Sequence, residues 1–301
     1  MTIFMSLSPV DHESLDCRLP DRQSFPLVVA SPHSGSLYPA EFLAQAAVPL
    51  TALRRAEDAF VDELFAAAPA LGMPLLAARF PRSFVDANRE PYELDPGMFE
   101  GPLPRPLNHR TTRVAAGLGM IPRVAASGEA IYRGRVPSEE IEHRLETCWR
   151  PYHTALSTLV EQTHRQFGTA LLIDAHSMPS SASGVGPRER DHRVDIVLGD
   201  NHGESCAPDL VDAAERWFAS HGLKVQRNQP YAGGFITEHY GNPAAGLHSI
   251  QIEVNRALYM DERRYERTAA FDRLAADIMA LADRLAMIPL EELKPYRAAA
   301  E

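Results

Sequence analysis

The sequence predicts an α/β fold: a mixed, largely parallel sheet with helices on both faces. Three observations carry this. Short apolar runs alternate with stretches of helical period along the chain, the pattern of successive strand–helix units. Two runs, LVVAS at 27–31 and ALLI at 170–173, are apolar at almost every position, as strands buried on both faces must be. Three runs also end in polar groups: His33 after the first, Asp174 and His176 after the second, and Glu253 near the end of a third at 247–256. In open α/β sheets such strand ends are where ligands bind.

Taken in order, residues 1–24 read as a loose or edge segment and 25–31 as the first firm strand. Pro32, Gly35 and Pro39 make a tight polar turn after it, and His33 sits in that turn. Thr51 is an N-cap candidate for a helix over 51–71, in which Leu53, Phe60, Val61, Leu64 and Phe65 keep helical spacing and Gly72 closes the end. On such a helix Asp58 and Asp62 share a face. Residues 75–80 and 83–87 read as short strands, the second ended by Asn88-Arg89-Glu90-Pro91. Residues 92–135 are rich in Pro and Gly without a sustained period, which predicts an irregular excursion of the lid or substrate-loop kind. Ser138, followed by Glu139 and Glu140, starts a helix to about residue 167 that Pro151 should kink or split. After the central strand, 181–191 is polar; 194–198 is a strand, 209–220 an amphipathic helix, and Val225 begins a short strand. YAGGFITEHYG at 231–241 is a glycine-containing loop able to close over a ligand, with Gly233 and Gly234 as its substrate-side positions. A strand at 250–254 and a helix over 262–286 complete one domain, 1–301, with no internal repeat.

Composition narrows the function classes. The formal charge is −10, which argues against a nucleic-acid partner, since a phosphate-binding face needs clustered basic residues. Arg79, Arg82 and Arg89 do cluster, on a scale suited to a small anion rather than a duplex. Three widely spaced cysteines imply neither a disulfide framework nor a cysteine zinc knuckle, so a reducing cytoplasm is the expected compartment. The N-terminus has no basic, apolar signal pattern, and no run approaches the length of a membrane span.

Two histidines and a carboxylate brought together at strand ends suit zinc, which takes nitrogen and oxygen ligands and leaves a fourth position for water in catalytic sites. His33 and His176 supply the nitrogens; Glu57, Asp58 or Asp62 supplies the oxygen. Glu253 suits a general base that takes a proton from water and returns it to a leaving amine. Arg82 and Arg89 suit polarisation of a carbonyl and clamping of a carboxylate, because guanidinium matches a carboxylate in two-pronged fashion. Asn88, next to Arg89, should point into the same cleft.

A series of blocks in order resembles one family: SPHSG, EDAFVDELF, PRSFVDANREP, GLGMIPRV, IYRGR, RPYH, DAHSMPS, PYAGGFITEHYG and QIEVNRALYM, together spanning roughly residues 25–265. The chain is similar in these to the N-formylglutamate amidohydrolases. The resemblance implies a phosphorylase/hydrolase-like fold related to the zinc carboxypeptidases and aspartoacylase, with one zinc ion per chain. It implies hydrolysis of N-formyl-L-glutamate to formate and glutamate, a last step of one histidine degradation route. It places the metal on His33, His176 and an acid in EDAFVDELF, with Asp58 at the position of the Asp in similar blocks and Glu57 beside it. The expected partner is therefore a small acidic N-acyl amino acid. Two other readings stand beside this one: a related N-acylamino-acid deacylase or small zinc carboxypeptidase, and a non-catalytic metal or anion binder. A carboxylate at Glu253 favours an enzyme, because a binder has no use for a water-activating group.

Overall fold

Seven strands build the main sheet: β1 (Leu15–Arg18), β2 (Leu27–Ser31), β3 (Leu75–Ala78), β4 (Ala170–Met178), β5 (Ile196–Gly199), β6 (Val225–Arg227) and β7 (Leu247–Asn255). The computed structural model describes residues 12–183, 194–288 and 293. Across the sheet the order is β1-β3-β2-β4-β7-β5-β6. β2 is parallel to β3 and β4, and β4 is parallel to β7 from Ala170↔Leu247 to Met178↔Asn255. β1 joins β3, and β5 joins β7, antiparallel, so the sheet is mixed and mostly parallel as the sequence predicts.

The pleat divides the side chains into two populations. Leu27, Val29, Leu171, Ile173, Ile250 and Ile252 belong to one buried cluster, with the helices Pro208–Ser220 and Phe271–Ala286 packed over it. Val28, Ala30, Ala170 and Leu172 belong to a second cluster on the other face, under the helix Arg150–Phe167. Because side chains alternate, Asp174 and His176 share a face with Ala170 and Leu172, and Gln251 and Glu253 share it on the neighbouring strand. That face is apolar at the start of β4 and polar at its end. The polar end is where the chain places its chemistry.

Several local expectations are revised. The stretch 51–71 is not one helix. It is a short helix Leu50–Leu53, a 3-10 turn Arg54–Ala56, an extended residue at Glu57, then a second short helix Val61–Leu64. Pro49, not Thr51, occupies the N-cap. Phe60 adopts left-handed φ/ψ (65°, 8°), a conformation that costs a non-glycine residue about 1–3 kcal/mol and that tends to be kept near functional sites. The break turns Asp58 inward, so Asp58 and Asp62 share no helix face; Asp62 lies near Arg18 instead. Gly72 is in the left-handed conformation expected of a terminating residue. Residues 83–87 form a turn rather than a strand. The last helix begins at Phe271, not 262, because Met260–Asp261 and Glu266–Arg267 pair as a small ribbon first.

The helix expected over 138–167 is interrupted at Pro151, as predicted: α-helix Glu139–Arg144 gives way to a π turn, and a second α-helix, Arg150–Phe167, starts with the proline in its first turn. The wider turn, Leu145–Trp149, stands where the ring of Pro151 would otherwise meet the carbonyls of the preceding α-helical turn. The polar stretch at 181–191 lies, from residue 184 on, outside the described residues. The three cysteines are free thiols. Among the described residues no helix is long and apolar enough to cross a membrane.

Candidate metal centre and active site

β2 ends two residues before His33, and the backbone N–H of Asp58 donates to His33 O at 2.9 Å. That bond fastens the turn after β2 to the break in the 50–64 segment. β4, beside β2, carries His176. The three side chains are buried, and one ligand atom from each lies within 4.8 Å of the others.

The hydrogen bonds identify those atoms. His33 Nε2 donates to Asp86 Oδ1 at 2.8 Å, and His176 Nε2 donates to Asp174 Oδ1 at 2.8 Å. Both Nε2 protons are thus committed, and both Nδ1 atoms turn toward Asp58 Oδ2, at 3.4 Å for His33 and 3.0 Å for His176. His33 Nδ1 is buried and has no hydrogen-bond partner. Two imidazole lone pairs and a carboxylate oxygen facing one point form a donor set for a cation, with each histidine oriented by a carboxylate behind it. Burial opposes charge on His176, but Asp174 and Asp58 outweigh it and lift its pKa well above the usual imidazole range. A cation on the Nδ1 side balances the same carboxylates as that proton does. His33, Asp58 and His176, all expected as ligands, are brought together; Glu57 and Asp62 are not. Glu57 instead accepts from the Tyr38 hydroxyl and Arg54.

Arg256 holds the other oxygen of the ligand carboxylate: its Nη2 donates to Asp58 Oδ1 at 3.0 Å while Nε donates to Ser177 Oγ at 3.0 Å. Asp58 is therefore fixed in the rotamer that leaves Oδ2 for the centre. Asp86 accepts from His33, from the Asn88 backbone N–H and from Arg82 Nε at 3.0 Å. Burial would raise its pKa, yet Arg82, Arg89 and His33 hold it well below the usual carboxylate range. Asp86 and Arg256 are the residues that sequence reasoning did not place in the site; it marks Asp174 only as a polar group at the strand end. Asp86 and Arg256 do stand inside the PRSFVDANREP and QIEVNRALYM blocks, and Asp174 precedes His176 by one strand period.

Glu253 is the register partner of His176. Gln251, two residues earlier on the same face, donates to its Oε1 at 2.9 Å. Burial pushes the pKa of Glu253 up to about 7; Asp58 and Asp174 add to this, and His176 and Arg82 oppose it. A carboxylate so placed can exchange a proton near neutrality.

These groups open onto a cavity of about 530 Å³. Five arginines, Arg55, Arg82, Arg89, Arg113 and Arg256, line it against the carboxylates of Asp86 and Glu253. This local positive excess sits in a chain of net charge −10, so the cavity is suited to an anion against the field of the whole molecule. Arg82 lines the cavity with its Nε spent on Asp86. Arg89 spends Nε on Leu118 O and Nη1 on Asn88 O, which ties the wall at Leu118 to the 86–89 turn. The 92–135 excursion supplies that wall through Arg113, Leu118, Pro122, Val124 and Ala126.

The glycine loop closes the opposite side. Asn88 Oδ1 accepts from Ile236 N at 2.7 Å, and a Cβ on Gly234 would fall 2.4 Å from the Asn88 amide. Gly233 has φ +133°, which side-chain-bearing residues rarely adopt. The loop is shorter than the sequence suggests, since Phe235–Tyr240 is helical. Beneath the 86–89 turn, buried His153 donates from Nε2 to Ala87 O at 2.8 Å and pairs through Nδ1 with the Tyr240 hydroxyl at 3.0 Å. Burial lowers its pKa to about 4.

Comparison with known proteins agrees with this geometry. The family model for N-formylglutamate amidohydrolases matches residues 25–260. The chain is 34% identical over 249 residues to an N-formylglutamate deformylase of Pseudomonas aeruginosa, covering 80% of this chain and 85% of that protein. It is 32% identical over 245 residues to the N-formylglutamate deformylase of Pseudomonas putida, covering 79% and 82%. Among solved structures, the N-formylglutamate amidohydrolase of Ralstonia eutropha JMP134 superposes with a TM-score of 0.84 at 39% identity, covering 91% of this chain and 97% of that one. A protein of Agrobacterium tumefaciens shares the fold, with a TM-score of 0.58 at 19% identity over 90% and 93% of the two chains.

Proposed function

The chain belongs to the N-formylglutamate amidohydrolase family, and on that premise we propose that it is a zinc-dependent hydrolase of N-formyl-L-glutamate, releasing formate and L-glutamate. The observation that carries this reading is the convergence of His33 Nδ1, His176 Nδ1 and Asp58 Oδ2 at the floor of an arginine-lined cavity. Two nitrogens and one oxygen suit zinc, and a zinc ion held there supplies Lewis acidity to a carbonyl and acidifies water. We also read residues 1–301 as one catalytic domain of a cytoplasmic enzyme of histidine degradation. Its relation to zinc carboxypeptidases is supported by two histidine donors at the ends of adjacent parallel strands.

The chain's own residues divide the work. Glu253 takes a proton from the attacking water as its oxygen bonds to the formyl carbon. The same carboxyl then gives the proton to the amide nitrogen as the C–N bond breaks, so that formate and the free amine leave. Gln251 holds the Glu253 carboxylate in place. Arg82, beside Asp58 and Glu253, faces the oxygen on which charge develops. Arg89 and Asn88 hold the substrate α-carboxylate, and the backbone at Gly233 and Gly234 lets the chain approach it closely.

The test is release of formate against acetate from a panel of N-formyl and N-acetyl amino acids, with zinc restored and metal content measured. Formate from N-formyl-L-glutamate at about one zinc per chain is expected. Faster release of acetate, or no hydrolysis by zinc-loaded protein, would overturn the reading.

A further inference from the structure

The turn that carries Asp86, Asn88 and Arg89 belongs to no helix or strand, yet three successive carbonyls in it accept from side chains. His153 Nε2 donates to Ala87 O at 2.8 Å, Arg89 Nη1 to Asn88 O at 2.7 Å, and Trp149 Nε1 to Arg89 O at 2.9 Å. Trp149 and His153 come from one helical segment, four residues apart, and Trp149 closes the π turn Leu145–Trp149. Wide turns of this kind recur at functional sites. The indole packs on two rings: its centroid lies 4.0 Å from that of His153 and 5.8 Å from that of Phe235, the first residue of the helix after the glycine loop. That packing holds the indole N–H on Arg89 O.

Arg89 is tied to the helical segment through its own backbone. Its Nη1 bonds the carbonyl of the residue before it, its Nε bonds Leu118 O at 3.1 Å, and its Nη2 makes no hydrogen bond among the described residues, although Arg89 is buried and lines the cavity. A shift of the peptide at Arg89 therefore carries the guanidinium with it. A charge-assisted hydrogen bond from that guanidinium weakens steeply once it leaves its line. Trp149 itself is not among the residues that line the cavity.

We propose that Trp149 is a positioning residue for substrate binding: its hydrogen bond to Arg89 O sets the peptide from which the Arg89 guanidinium meets the substrate α-carboxylate. This rests on the deformylase reading above. The α-carboxylate takes no part in bond breaking and is the same in the ground state and the transition state. The contribution of Trp149 accordingly falls on KM and not on kcat.

The experiment is steady-state formate release by the zinc-loaded full chain from N-formyl-L-glutamate and from its α-amide, which keeps the side-chain carboxylate and lacks the α-carboxylate. Wild type, Trp149→Phe and Trp149→His are compared at about pH 8, where a histidine ring is neutral. Both variants reduce the indole to a single ring, and only Trp149→His keeps a ring N–H. In Trp149→Phe, KM for N-formyl-L-glutamate should rise about 10-fold, the order of one hydrogen-bonding partner lost, with kcat within about threefold of wild type. Against the α-amide, kcat/KM of the same variant should change by less than about threefold. Trp149→His should recover part of the KM. Zinc content and urea unfolding report the fold of each variant, and donor-free Trp149→Met is read in place of a Trp149→Phe protein that does not fold. A purely structural role would depress both compounds alike, in both variants. With wild type active, an equal loss on the two compounds, a loss confined to kcat, or an unchanged KM overturns the assignment and leaves the deformylase reading standing. If zinc-loaded wild type releases no formate from N-formyl-L-glutamate, the deformylase reading falls and the assignment falls with it.

Discussion

His176 on β4 and Glu253 on β7 are register partners in a parallel pair, so both side chains leave the same face of the sheet, one strand spacing of about 4.8 Å apart at the backbone. The proposed metal ligand and the proposed proton-transfer carboxylate are thereby held beside each other by main-chain hydrogen bonds. Relative placement within fractions of an ångström is what acid–base chemistry at a metal centre requires.

Replacing Glu253 by Gln keeps the shape and removes the proton acceptor. Turnover should fall about 10²–10⁴-fold while zinc content and folding are preserved. Steady-state kinetics with metal analysis on the same sample measure this. Full activity would move proton transfer to another group, Asp174 first; loss of zinc would move Glu253 into the ligand set.

Asp174 acts through His176. In Asp174→Asn the imidazole loses its carboxylate partner, and zinc affinity should drop about 10–100-fold. Competition with a chromophoric chelator reads this directly. Activity at saturating zinc should suffer less than affinity does. Unchanged affinity would mean that packing alone orients the ring.

Arg256→Met leaves the Asp58 carboxylate buried without its guanidinium partner. Zinc-free protein should lose about 3–5 kcal/mol of stability, the usual consequence of stranding one member of a buried pair. Urea unfolding with and without zinc tests this. The deficit should shrink when zinc is added, since the cation compensates the same carboxylate; a deficit indifferent to zinc would argue that Arg256 only packs.

His153 gives a pH dependence of stability. Its folded pKa, about 4, lies below the ordinary value of 6.5, so the unfolded chain binds the proton more readily. The contribution is fully present above about pH 6.5 and is lost as pH falls through 6.5 toward 4, up to about 3 kcal/mol in all. His153→Gln should flatten the fall in unfolding free energy between pH 7 and 4.5 relative to wild type. Parallel slopes would assign the acid sensitivity elsewhere.

His33, His176 and Glu253 were legible in the sequence because each follows an apolar run, and the end of a buried strand is a place that chain pattern marks. Asp58 was legible as a candidate but not in its setting. The apolar spacing of Leu53, Phe60, Val61 and Leu64 is satisfied both by one helix and by two short helices around a break. Only the contact with the turn after β2 selects the broken form. Asp86 and Arg256 were not legible as site residues, since their partners lie 53 and 198 positions away in the chain. Such pairings are fixed by sheet order, which local periodicity does not encode.

The alternation along β7 separates two kinds of heritable change. Ile250, Ile252 and Val254 answer to packing, and Gln251 and Glu253 face the cavity, yet the two sets interleave residue by residue on one strand. Point substitutions at Gln251 or Glu253 can therefore alter the cavity without exchanging the residues that pack the interior. A single-residue insertion or deletion has the opposite effect, because it exchanges the sets and destroys catalysis and packing in one event. This strand should accordingly diversify by substitution while its length stays fixed, and the freedom to gain or lose residues should fall to the 92–135 excursion that forms the cavity wall.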